Sequence, residues 1–206
     1  MTSQSLSVPN PVRLLAGIAA VILVGGAIVG SSVIYTVREF LSHVGEKDYI
    51  QKALADMSLG EGLPADLKPT MALRFPTPAS IVFLERPAEK QQLVLLSYEM
   101  AKDVDPREEI DRFYDLGINY MGVDTTNTQA RFNAIKKQDK VDLDGHGRTV
   151  NYLIGTLLDS RGNTYAGALA CLVHGKKVLM LQFLQPSDRP FSLDPVLDIL
   201  RKASSF

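Results

Sequence analysis

The sequence predicts an α+β domain, an antiparallel sheet of five to seven strands with at least two packed helices, preceded by one N-terminal transmembrane helix. Three observations carry that expectation. Residues 14–37 form a long apolar run without a charge. Residues 151–184 hold three apolar, strand-like runs separated by turn signals. Two Asp-Pro pairs, at Asp105 and Asp194, each open an amphipathic stretch in the manner of a helix start.

The apolar run comes first. LLAGIAAVILVGGAIVGSSVIYTV as a helix would be roughly 36 Å long, against a hydrocarbon core of about 30 Å. Arg13 and Arg38 bracket it, and Tyr35 and Phe40 lie near its second boundary, where aromatic rings settle. A cleavable signal peptide has a shorter apolar region ending in a small-residue site, whereas here apolar residues continue past Gly30-Ser31-Ser32. An uncleaved signal anchor fits better. Gly26 and Gly30 form a GxxxG pair, which marks a transmembrane packing face for self-association. On orientation two criteria conflict. The basic residues Arg38, Lys47 and Lys52 beyond the helix, against Arg13 before it, place the large domain in the cytoplasm. The short acid-free first tail, and Glu39, Glu46 and Asp48 offsetting the basic residues, favour export. The expectation is an exported domain, on the periplasmic side of a bacterial inner membrane.

Four segments follow from this division: a polar tail at 1–13, the transmembrane helix at 14–37, a juxtamembrane helical segment and linker at 38–69, and the α+β domain at 70–206. In the third segment Phe40, Leu41 and Val44, then Ile50, Leu54 and Met57, recur at helical spacing, with Gly45 between them. LGEGLPADLKP has the Gly and Pro content of a linker, and the whole stretch reads as a spacer. In the domain, IVFLER (81–86) and QLVLLSYEM (92–100) flank PAEKQ as a hairpin. Then Asp105 caps a helix with Ile110, Phe113 and Tyr114 on one stripe, and Gly117 supplies the stop. The segment TTNTQARFNAIKKQ reads equally as a short helix or a strand. A strand at 137–143 leads into the meander NYLIGTLL, TYAGALACLV, VLMLQFL, and a last helix starts at Asp194-Pro195.

Chemistry has few candidates. The single cysteine excludes a disulfide framework within the chain and a four-cysteine zinc site. A net charge of −1 gives no basic excess with which to displace counterions from nucleic acid. Cys171 and His174 stand three apart in a strand, so they face opposite sides and form no dyad. Cys171 shares its face with Tyr165, Gly167, Leu169 and Val173 and reads as a buried small hydrophobe. The opposite row, Ala166, Ala168 and Ala170, suits close approach of a helix. DLDGHG places Asp142, Asp144 and His146 in alternation, a weak metal-ligand set lacking the remaining positions of a calcium loop. No phosphate-binding glycine loop, nucleophile elbow or HExxH helix is present in the sequence. No catalytic residue and no cofactor is therefore expected.

The C-terminal half, LLDSRGNTYAGALACLVHGKKVLMLQFLQPSD followed by LDPVLDILRKASSF and closing on Ser205-Phe206, resembles the ending of PsbP-like domains. The resemblance runs from Arg148 onward and implies a non-enzymatic accessory or binding domain beside a bacterial or thylakoid membrane. It transfers no functional residue. The functional expectation is a membrane-anchored, non-catalytic interaction or assembly module, partnered by other membrane proteins or by itself through the transmembrane helix. The alternative is a tethered small-molecule or lipid-binding domain. Third comes an enzyme using Cys171, or a metal at Asp142, Asp144 and His146.

Overall fold

The computed structural model describes residues 46–59, 62–75, 78–115, 121–122, 129–159 and 162–203. The run 14–37, with Gly26 and Gly30, lies outside these residues, as does the expected stop at Gly117. No described helix is long and apolar enough to cross a membrane.

Every strand pairing is antiparallel. In chain order the strands are β1 (Lys68–Arg74), β2 (Ala79–Arg86), β3 (Gln91–Glu99), the two-residue β4 (Met121–Gly122), β5 (Gln129–Asp142), β6 (Thr149–Leu158), β7 (Thr164–His174) and β8 (Lys177–Pro186). Across the sheet the order is β1-β2-β3-β8-β7-β6-β5-β4, seven long strands with the short β4 at one margin. Among the described residues three α-helices accompany them: α1 (Lys47–Asp56), α2 (Pro106–Asp115) and α3 (Asp194–Lys202). The expected α+β class and antiparallel sheet are therefore present.

The meander expected after residue 150 is β6-β7-β8, with Gly155 opposite Gly167 and Ala168 opposite Phe183. Its second turn is Gly175-Lys176, closing on the His174–Lys177 pair. Gly175 takes φ 60°, the backbone that the first position of a two-residue II′ turn demands. The β2–β3 hairpin turns through a single 3₁₀ turn, Pro87–Glu89, and Lys90 in the left-handed region. β8, the last strand of the β6-β7-β8 meander, joins it to β1-β2-β3, paired to β3 on one side and β7 on the other. It is covered on both faces, which is why VLMLQFL is nearly continuous in apolar residues rather than alternating.

Each face of the sheet carries its own core. One face gathers Val82, Leu84, Leu93, Leu95, Val150, Tyr152, Ala168, Ala170, Leu172, Leu179, Leu181 and Phe183 beneath α1 and α3. The other gathers Leu73, Ile81, Leu96, Leu153, Leu157, Leu169, Cys171, Met180 and Leu184 beneath Ile110 and Phe113 of α2. The alternation read along β7 is thus observed, with Cys171 and the alanines on opposite faces. On the alanine side Ala168 and Ala170 share a core with residues of α1 and α3, and on the Cys171 side α2 comes near β7.

Two boundaries differ from expectation. The stretch 38–69, read as a spacer, contains α1, whose Ile50, Ala53 and Leu54 are buried together with Met57 and Leu59. Tyr49 Oη donates to Arg74 O at 3.0 Å and accepts from Arg74 N. Asp56 takes Arg74 Nε at 2.7 Å and Ser80 Oγ at 3.1 Å. These bonds clamp α1 to β1 and β2, so the folded unit includes residue 46 onward and β1, which begins at Lys68. In the ambiguous segment before residue 138 the described residues are strand: β5 runs from Gln129 with register shifts at Phe132/Ala134 and Ile135/Lys137. The last helix starts at Asp194 as expected, with Leu193 at the N-cap position and no side-chain bond there.

Candidate functional site

The residues singled out in the sequence are dispersed. Cys171 is fully buried under α2. Burial pushes its thiol well above the usual range, and the carboxylates of Glu109 and Asp105 add to the rise. A thiol so placed has neither the thiolate character nor the access that a nucleophile needs. His174 is exposed at the β7–β8 turn, at the strand's end. Asp142, Asp144 and His146 do share one loop, but its carboxylates are occupied by backbone. Asp142 accepts from the N–H groups of Asp144 at 3.2 Å, Gly145 at 2.9 Å and Gly147 at 2.9 Å, while Asp144 accepts from His146 N at 3.1 Å. The bond from Gly147, with smaller contributions from Asp144 and Gly145, holds the Asp142 carboxyl below its usual value. Among the described residues no group of three His, Cys, Asp or Glu side chains comes together around a common point.

A polar cluster that the sequence did not reveal lies beneath α2. Glu109 is 3% exposed, although it stands on a helix rich in charged residues. Tyr98 Oη and Arg112 Nη2 both donate to Glu109 Oε1. The Tyr98 ring stacks on Phe113 at 6.0 Å, and Arg112 Nη2 reaches Met100 Sδ at 4.0 Å. Burial first, then the bond and charge of Glu109, drive the Tyr98 phenol far above its ordinary range. The phenol is therefore a fixed proton donor, and the cluster acts as a charge-assisted clasp between β3 and α2. Its sequence signal was the i, i+3 spacing of Glu109 and Arg112; the tyrosine could not be joined to them without the fold.

A groove among the described residues lies elsewhere, beside the edge strand β1. Lys47, Ile50, Gln51 and Leu54 of α1 form one wall, and Leu63, Pro64, Ala65, Leu67 and Pro69 the other. The groove is open to solvent, with a volume of about 520 Å³. Its floor is apolar, with Ile50, Leu54 and Leu67 buried, while Lys47 and Gln51 are exposed at the rim. Glu46, at the N-cap position of α1, makes no side-chain capping bond to the helix. The loop side of the groove is held by Arg86, 2.6 Å from Asp66 Oδ2 as a charge contact and bonded to Gln91 Oε1 at 3.0 Å. Gln91 continues the chain to Gln185 at 3.2 Å. Neither the family models nor the curated proteins offer a match to this chain.

Proposed function

We propose that the protein is a membrane-anchored, non-catalytic interaction or assembly module whose globular domain lies outside the cytoplasm. One observation carries the reading. The uncharged run 14–37 is followed, after nine residues, by a helix built into the core of the domain. A chain crossing a bilayer at 14–37 would hold its domain against that bilayer, since nine extended residues span at most about 32 Å. Partners reached from there are other membrane proteins, or a second copy packed through Gly26 and Gly30. The PsbP-like pattern of the C-terminal half agrees with an accessory role of this kind. The groove beside α1 favours a second reading, a tethered small-molecule or lipid-binding domain, because its volume falls within the range of ligand sites.

The test is fractionation of membranes bearing the full chain, followed by crosslinking and affinity purification from detergent. Retention in the pellet through alkaline carbonate, protease sensitivity of the domain from the outer side, and a stoichiometric integral-membrane partner are expected. Release by carbonate removes the reading. Protection of the domain from outside protease reverses the orientation.

A further inference from the structure

We propose that the Asp144–Gly145 link is a site of spontaneous aspartyl isomerisation, held silent in the folded domain by the carboxylate of Asp142. The reaction needs only the chain and water. Gly145 N gives up its proton and bonds to Cγ of Asp144, one Cγ–O bond breaks, and a water molecule leaves. Water then adds back to either carbonyl of the cyclic imide. One opening restores aspartate, and the other carries the backbone through the side chain as isoaspartate. Glycine is the most permissive second residue, since it has no Cβ to hinder the approach.

The loop joining β5 to β6 sets up most of this chemistry. Asp144, Gly145, His146 and Gly147 are all exposed, so water reaches the site. A Cβ at Gly145 would meet nothing within 4 Å, and the space around it is open. His146 N donates to Asp144 Oδ1 at 3.1 Å, which polarises the carboxyl carbon under attack. The attacking atom is the one withheld. Gly145 N donates to Asp142 Oδ1 at 2.9 Å, and a hydrogen bond to an anion keeps that proton in place. Asp142 is itself fixed, because Asp144 N shares Oδ1 at 3.2 Å and Gly147 N takes Oδ2 at 2.9 Å. Isomerisation would add a backbone atom inside a braced span: Leu143 N donates to Arg148 O at 3.0 Å, and Arg148 holds carbonyls at the end of α3.

The experiment incubates the full chain in detergent at neutral pH, folded or in urea, in water enriched in oxygen-18. Peptide mapping by mass spectrometry then reads heavy oxygen and isoaspartate at position 144, and NMR follows exchange of the Gly145 amide. Turnover in the folded chain should be slower than in urea by about ten- to a hundredfold, the worth of a hydrogen bond to a charged group. Gly145 exchange should be slowed by a similar factor, since both reactions wait for the same local opening. Asp142→Ala, with a native near-UV spectrum, should bring the folded rate close to the rate in urea, where the two chains should react alike. Equal turnover of the unaltered chain, folded and in urea, overturns the proposal. So does a folded Asp142→Ala chain as slow as the unaltered one. Should the variant fail to fold, the unaltered chain still decides: slow turnover beside an unprotected Gly145 amide removes Asp142 from the account.

Discussion

Cys171 shows how much one side chain's setting controls. Sequence alternation alone put it on an apolar face, and the fold buries it completely under α2. A raised thiol value in the folded state has a definite sign for stability. Below the unfolded thiol value, near 8.5, both states keep the proton and Cys171 imposes no pH dependence. Above it the unfolded chain loses a proton that the folded chain retains, so stability falls by up to about 1.4 kcal/mol per pH unit. Urea midpoints should drop between neutral and alkaline pH, and Cys171→Ala should flatten that drop. An equal drop in the variant would remove the assignment. Asp142 works in the opposite sense. Its value is depressed by the loop's own amides, so the bonds it accepts are complete above the usual aspartate value of about 3.9 and are lost as pH falls through the lower folded value. Amide signals of Gly145 and Gly147 followed by NMR should titrate with a midpoint under 3.9. A midpoint at or above that value would contradict the geometry.

At the scale of elements, the register of β5 on β6 depends on a missing side chain. Gly155 pairs with Gly167 across β6 and β7, and Phe132 lies over Gly155 while Leu157 lies over Gly167. A Cβ at Gly155 would stand 2.4 Å from Ala134 O and 2.8 Å from Phe132 Cδ1. The first of these atoms is backbone, fixed by the register shift between Phe132 and Ala134, and cannot swing away. Gly155→Ala should therefore cost about 1–3 kcal/mol in urea unfolding, the range for overpacking. A neutral effect would mean that the strands are less tightly registered than they stand here. The same shifts, with exposed Lys136, Lys137 and Lys140 along β5, blunt an edge that among the described residues pairs outward only at Gln129 and Ala130. Arg148, in the turn before β6, has a structural role of its own. Arg148 Nη2 donates to Leu200 O at 2.5 Å and Ala203 O at 3.1 Å, closing the carbonyl end of α3.

For the whole molecule the consequence lies in where the folded unit begins. Ile50, Leu54, Met57 and Leu59 belong to the core shared with β1, β2 and α3. Burying a side chain of that size stabilises by about 1.5–3 kcal/mol each, which approaches the entire net stability of an ordinary domain. A fragment beginning at residue 46 should unfold cooperatively in urea with a native near-UV spectrum. One beginning at residue 60, keeping β1 but lacking α1, should not. Cooperative folding of the shorter fragment would restore the spacer reading. The coupling also shapes function, since a domain whose first helix is core cannot pivot freely about that helix. Its groove keeps one orientation relative to the point where the chain enters.

The residues alone determined the β6-β7-β8 meander, the α2 start at Asp105, the two faces of β7 and the absence of a Cys171–His174 dyad. Each of these depends on near neighbours: a period of two or 3.6, a cap that reaches Arg107 N at 2.7 Å, a turn glycine with positive φ. The tertiary structure decided the rest. β8 sits beside β3 although α2 and four strands intervene in the chain, Glu109 meets Tyr98 from another element, and α1 closes over β1 instead of hanging from it. Those pairings join segments far apart in the chain. Their stability comes from surfaces that exist only once both partners are folded, and no local pattern encodes which surface will be met.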